Sequence, residues 1–173
     1  MTTGNLTSAG LVLLSGLPGS GKTTFARLLA DLLPADHFES DAVRFELSGR
    51  PTYHPAESAK VFATIEQRAA TSLAAGRVAI IDATNLTGRD RRRFVRLARN
   101  RGVPLVAVRL VAPEDVIRAR LEMPRKGFSE ATEAIYDQMK LRAQPFTMPA
   151  LVVDTRYPLE PSLSLVRRLL EAN

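Results

Sequence analysis

The sequence predicts an α/β fold: one domain over residues 1–173, with a five-stranded parallel sheet between two layers of helices. Three observations predict it. Short apolar runs recur at 11–14, 78–81, 105–111 and 151–153, each of a length that suits a buried strand. Longer stretches whose apolar residues return at helical spacing lie between them. The first apolar run also passes through a Gly-rich turn straight into such a stretch. Right-handed crossovers in a chain of this pattern put helices on both faces, and the carboxyl ends of the strands then form the ligand-binding rim.

Met1 to Gly10 is polar and reads as a disordered lead-in rather than a signal peptide. Leu11-Val12-Leu13-Leu14 is the first strand, and Thr24 to Leu33 the first helix. Asp36-His37-Phe38-Glu39-Ser40, short and half polar, is the second strand; Asp41 opens a short helix through Leu47. Gly49, Pro51 and Pro55 make 48–55 a loop. Val61, Phe62, Ile65, Ala69 and Leu73 line one face of a helix over 56–75, with Pro55 suited to its first turn and Gly76 to its stop. Val78 to Ile81 is the third strand, ended by Asp82. Thr87 with Asp90 three residues on forms a capping box, and the helix that follows, closed by Gly102, has Phe94, Val95, Leu97 and Ala98 on one face and arginines on the other. Leu105 to Val111 is the fourth strand; Pro113 starts a helix through Leu121. Pro124 and Gly127 break it, Ser129 caps another helix through Leu141, and Leu151 to Val153 is the last strand, ended by Asp154. A helix from about Ser162 to Ala172 closes the chain.

Composition narrows the class. The chain is 45% hydrophobic and 24% charged, ordinary for a globular protein. It has no apolar window long enough to span a bilayer, so no membrane association is expected. With no Cys there is no disulfide framework or thiolate metal site, and two His are too few for a zinc site without carboxylate help. These features fit a cytoplasmic protein. The net charge of +6 is made mostly of Arg and permits an anionic substrate. No single basic stripe stands out, so a nucleic-acid footprint and a compositional bias toward Arg stay level.

Gly16-Leu17-Pro18-Gly19-Ser20-Gly21-Lys22-Thr23 fits G-x-x-x-x-G-K-[ST], the phosphate-binding P-loop, and its strand-before, helix-after context is the one the motif requires. Its glycines let backbone N–H groups close round an anion, and the following helix presents its N-terminus to negative charge. Lys22 is placed to reach the β/γ-phosphates of ATP, and the Thr23 hydroxyl to ligate Mg²⁺. Asp82 follows an apolar strand, the position of an acid that holds the same Mg²⁺. Asp41 ends another strand, where it can take a proton from an attacking hydroxyl. Each aspartate has an alternative reading as a helix N-cap. Residues from about 120 to 128 are Arg-rich and interrupted by Pro124 and Gly127, as a lid over a transferring phosphoryl group would be. Any one arginine there has the alternative reading of a solvated helix end.

Four stretches resemble the kinase domain of phage-type polynucleotide kinases and their small bacterial P-loop kinase relatives of the AAA and zeta-toxin type. They are Gly16 to Thr24, Ser40-Asp41-x-x-Arg44, Ile81-Asp82-Ala83-Thr84-Asn85-Leu86, and the segment from Arg120 to Arg125 with Ser129-Glu130-Ala131 after it. The resemblance runs from about Leu11 to Pro145. It implies a three-layer P-loop NTPase fold with ATP held by Gly16, Pro18, Gly19, Ser20, Gly21, Lys22, Thr23 and Thr24. It implies that Asp41 is the general base, assisted by Lys22 and by Arg125 at the transferring phosphoryl group. Arg44 would bind an acceptor phosphate, Thr84 and Asn85 would line the acceptor side, and Arg120, or Arg118 in its place, would stack on adenine. Thr23 and Asp82 would hold Mg²⁺. The chain departs from the polynucleotide kinases in carrying no phosphatase or other repair domain, and it has no Asn-Lys-x-Asp guanine motif.

The expected activity is therefore transfer of the γ-phosphoryl group of ATP to a hydroxyl acceptor, a nucleic-acid 5′ end before a small molecule such as a sugar, antibiotic or nucleoside. The alternative from another class is a nucleotide-dependent ATPase switch, which would need no acceptor base. The sequence sets neither the acceptor nor the oligomeric state.

Overall fold

The structure, a computed structural model, describes residues 9–49, 51–123, 128 and 132–172. In chain order the elements are β1 (Gly10–Ser15), α1 (Lys22–Leu32), β2 (Ala35–Glu39), α2 (Ser40–Ser48), α3 (Pro55–Ala74) and β3 (Val78–Asp82). They continue with α4 (Gly88–Arg101), β4 (Leu105–Val111), α5 (Glu114–Glu122), α6 (Glu133–Arg142), β5 (Leu151–Asp154) and α7 (Glu160–Glu171). The strands form one parallel sheet in the order β2-β3-β1-β4-β5. This is the expected α/β fold.

Successive side chains of a strand point to opposite faces, and β1 uses both. Val12 and Leu14 pack under α1 and α7, against Phe25, Leu29, Leu163 and Val166. Leu11 and Leu13 pack under α2, α3 and α4, against Val43, Ile65, Phe94 and Leu97. All four β1 residues are fully buried. Burial of each such side chain stabilises the fold by roughly 1.5–3 kcal/mol, so a continuous apolar run is what a central strand requires.

Helix ends follow their local signals. Pro55 is the first residue of α3, and the capping box of Thr87 and Asp90 starts α4, which Gly102 ends in a left-handed conformation. Several boundaries differ from the sequence reading, three of them for reasons visible in the structure. β1 takes in Gly10, assigned above to the lead-in; Gly10 is buried, and a Cβ there would come within 2.7 Å of the Leu170 side chain. Thr132 caps α6, its hydroxyl accepting from the Ile135 N–H, whereas the expected cap, Ser129, lies outside the described residues. α7 starts at Glu160 rather than near Ser162, because Pro161 supplies a preset first turn. Among the described residues no helix is long and apolar enough to cross a membrane.

The strand order places β1 centrally, with β3 and β4 as its neighbours. The chain moves one way from β1 to β2 and β3, then crosses to β4 and β5 on the other side. Ligands bind at the carboxyl ends of such sheets where the order reverses. Here that point is the turn after β1.

Candidate active site

The turn after β1 is Gly16 to Gly21. Gly21, at φ +91°, is the residue before α1 and takes a left-handed conformation that a side chain would strain. A Cβ on Gly16 would come within 2.6 Å of the Leu110 carbonyl oxygen, so the loop can leave the sheet here only as glycine. α1 has no side-chain N-cap and no acidic residue in its first turn, whereas α3, α4 and α6 are each capped by a side chain. A helix that starts this way offers its first N–H groups and its positive end to an anion. The residues present thus fit a bound phosphate chain. Lys22 Nζ donates to the Leu17 carbonyl at 3.0 Å, which lays the ammonium group across the loop. Thr23 is half-buried and Thr24 exposed at the start of the helix. Pro18 and Ser20 are buried in the loop itself.

The loop is braced from the β3 side. Gly16 N–H donates to the Thr84 carbonyl at 3.1 Å, and the Ser15 hydroxyl reaches the carbonyls of Thr84 and Asn85 at 3.0 and 3.2 Å. Asn85 is fully buried at φ +45° and donates from Nδ2 to the Leu14 carbonyl at 2.7 Å. Arg91, also buried, donates to the carbonyls of Asn85, Leu86 and Pro145 and lies 4.4 Å from the Phe146 ring centroid. Asn85, expected on the acceptor side, has no exposed surface and ties the β3–α4 loop to the end of β1. Thr84 is half-buried and takes part through its carbonyl.

Asp82 is the last residue of β3 and is buried. His37 Nε2 lies 2.9 Å from Asp82 Oδ2, and ligand atoms of His37, Glu39 and Asp82 all lie within 4.8 Å of one another. His37 and Glu39, two apart on β2, share a strand face. Burial and then the neighbouring Asp82 charge push the Glu39 carboxyl above its ordinary range, with His37 and Arg27 acting against them. Two converging carboxylates suit Mg²⁺, and an imidazole hydrogen-bonded to one of them orients it. The donor set therefore fits a divalent cation. Sequence reasoning named Asp82 and missed His37 and Glu39; their two-residue spacing at a strand end was the available signal.

Asp41 lies in the first turn of α2, half-buried and close enough to Glu39 for their charges to interact. The residue before α2 is Glu39, with no side-chain cap, so Asp41 is not the N-cap of this helix. A cavity of about 600 Å³ opens against the end of β2 and one side of α2, lined by Glu39, Ala42, Phe45, Phe128 and their neighbours. The rings of Phe45 and Phe128, which both line it, pack on each other at 5.6 Å and 42°, and both are about half exposed.

Arg44 does not stand where the sequence reading put it. It is buried, its guanidinium donates to Glu57 Oε2 at 2.7 Å, and it stacks 4.7 Å from the Tyr53 ring centroid. Burial pushes the Glu57 carboxyl up, but hydrogen bonds from Arg44, Thr52, Ser48 and Tyr53 outweigh it and bring the group down to about 2. Arg44 is thus the counter-ion that holds the α2–α3 connection, and not an open phosphate contact. Asp154 is likewise taken, by Arg156 at 2.6 Å.

Arg120 donates to the Gly19 carbonyl at 3.2 Å and to the Thr155 hydroxyl and carbonyl at 2.8 and 3.0 Å. It joins the loop after β5 to the P-loop. Arg118 cannot take its place, because Glu114, Glu133 and Asp137 engage it and Tyr136 lies beneath it. Arg125 lies outside the described residues, as do Pro124, Lys126 and Gly127 of the expected lid.

A family model described as an AAA domain matches residues 11–146. A search of curated proteins finds no match. Among solved structures the chain is similar to a putative kinase from Chloroflexus aurantiacus at 22% identity and TM-score 0.75, covering 96% of this chain and 98% of that one. It is similar to the Mycobacterium tuberculosis APS kinase in complex with AMPPNP and APS at 17% identity and TM-score 0.72, covering 95% and 98%. It is similar to a gluconokinase from Sinorhizobium meliloti at 19% identity and TM-score 0.67, covering 97% and 96%. At these identities the likeness carries the fold.

Proposed function

The chain belongs to the AAA domain family, and from that premise we propose that it is an ATP- and Mg²⁺-dependent phosphotransferase acting on a hydroxyl group. The observation that carries this reading is the uncapped, glycine-led start of α1 beside Asp82 on the neighbouring strand, with Asp41 two residues beyond Glu39 at the start of α2. Gly16 to Thr24 would hold the phosphates of ATP, and adenine would lie towards Arg120 and the Thr155 loop. Thr23 and Asp82 would hold Mg²⁺, with Glu39 close by. When bound, the ion draws negative charge from the phosphate oxygens.

Asp41 would accept the proton of the acceptor hydroxyl. As the acceptor oxygen bonds to the γ-phosphorus, the bond from that phosphorus to the β–γ bridging oxygen breaks, and ADP leaves. Lys22 neutralises the charge that grows on the phosphates, and Arg125 would add to it from the lid.

For the acceptor, a nucleic-acid 5′-hydroxyl end is the first reading. The half-exposed Phe45 and Phe128 at the cavity mouth suit it, since a base stacks on an aromatic ring. A small-molecule hydroxyl is the second, favoured by the engagement of Arg44 with Glu57, which removes the expected contact for a phosphate beside the hydroxyl. Incubation with γ-labelled ATP and 5′-hydroxyl oligonucleotides, nucleosides, sugars and aminoglycosides tests both. Label on the oligonucleotide supports the first reading and label on a small molecule the second. Release of inorganic phosphate with no acceptor labelled would overturn the phosphotransferase reading.

A further inference from the structure

α4 carries seven arginines in fourteen residues, Gly88 to Arg101. Its apolar side, Phe94, Leu97 and Ala98, is buried in the core. Arg89, Arg92 and Arg96 fall on the opposite side at spacings of three and four, so their side chains are neighbours along one exposed face. With Arg93 they line a groove of about 240 Å³, and among the described residues no other residue type lines it. Only Arg93 of these four has an acidic partner, Glu66 at 2.8 Å. Among the described residues Arg89, Arg92 and Arg96 form no ion pair.

Outside this row some arginines are neutralised, and others, such as Arg99, Arg101 and Arg109, form no ion pair among the described residues. Arg68, Arg77 and Arg118 each lie within 3 Å of a carboxylate. An unneutralised row on α4 sets like charges beside one another, and Arg89 adds a cation at the helix end that disfavours it. Such a row is unfavourable to the folded protein alone and favourable once a polyanion lies on it. α4 starts at the strand rim that carries the P-loop, and Arg91 fastens its first turn to the loop beside that site. From there the row leads away from the candidate active site.

We propose that the Arg89–Arg92–Arg96 face of α4 binds the phosphate backbone of a single-stranded nucleic acid. This rests on the first acceptor reading above, for which it supplies a path for the strand behind its reacting end. The row spans about 10 Å along the helix, enough for roughly two or three phosphates. A membrane surface fits less well. The apolar side of α4 is already committed to the core, so nothing is left to enter a bilayer.

The test is fluorescence anisotropy of a labelled 20-nucleotide single strand, without ATP, against the full chain and its Arg89→Glu/Arg92→Glu/Arg96→Glu variant. Wild type is expected to bind, and the variant to bind at least about tenfold more weakly, with a log–log salt slope smaller by about 2. Arg→Gln at the same three sites should weaken binding less than Glu does, and it serves if the Glu variant does not fold, as read by circular dichroism. No binding by wild type, or equal binding and equal salt slope in the variants, overturns the proposal. So does binding to phosphatidylserine vesicles in place of the oligonucleotide. Because no transfer is measured, a failure of the kinase reading would leave oligonucleotide binding intact and is told apart from a failure here.

Discussion

At the scale of single residues, Asp41 and Asn85 show two different uses of a short polar side chain. Asp41 stands in the first turn of α2 and is not its N-cap, so capping the helix is not its role. Asp41→Asn keeps the shape and cannot take a proton. Transfer should fall by about 10²–10⁴-fold, with nucleotide affinity little changed. Rapid-quench measurement of transfer beside a nucleotide titration checks this, and transfer at the wild-type rate would remove Asp41 from the mechanism. Asn85 acts on the fold instead. Its amide satisfies the Leu14 carbonyl at 2.7 Å from a fully buried position at positive φ. Asn85→Ala leaves that carbonyl without its donor and puts Ala in a left-handed conformation. The expected loss is about 1–3 kcal/mol, and melting should move by roughly 2–4 °C for each of them. A melting temperature equal to that of wild type would mean that the P-loop does not depend on this brace.

At the scale of elements, the α2–α3 connection is held by one acid. Glu57 accepts from Arg44, Ser48, Thr52 and Tyr53, which keeps its carboxyl at about 2, against 4.5 for an unperturbed glutamate. The folded form therefore resists protonation more than the unfolded chain does. Its contribution to stability is complete above about pH 5 and is lost as pH falls through the folded value. Glu57→Gln should lower stability at pH 6 and flatten its rise between pH 2.5 and 5, read as urea midpoints; an unchanged slope would show that other carboxylates set it. This connection also marks what the sequence could tell. Strands, the Thr87–Asp90 cap and the P-loop were legible because each depends on neighbours a few residues away. Arg44 was misread because Glu57, its partner, is 13 residues on, across a loop. His37 meets Asp82 across 45 residues, and Asn85 meets Leu14 across 71. Those pairings depend on strand order, which no local pattern contains. Asp82 was legible because the end of an apolar strand is itself a local signal; whether its neighbours would be His37 and Glu39 was not.

At the scale of the whole molecule, the P-loop, β3 and the loop after β5 should respond to nucleotide as one unit. Gly16 is bonded to Thr84, and Arg120 links Gly19 to Thr155. A ligand on the P-loop thus bears on β1, β3 and β5 together, and should raise the stability of the full sheet rather than of one loop. Mg·ATP at a hundred times its dissociation constant stabilises a folded protein by about 2.7 kcal/mol. For a chain of this size that is roughly 5–11 °C in melting temperature. Lys22→Ala should abolish most of the shift, because its ammonium group lies across the loop that receives the phosphates. Asp82→Asn should separate the two ligands: the shift with ATP in EDTA should persist, and the additional shift on adding Mg²⁺ should shrink. A full Mg²⁺-dependent increment in Asp82→Asn would mean that the ion is held elsewhere, with Glu39 or the phosphates alone as its ligands. A full ATP shift in Lys22→Ala would place the nucleotide away from the P-loop, and the functional reading of the rim would fall with it.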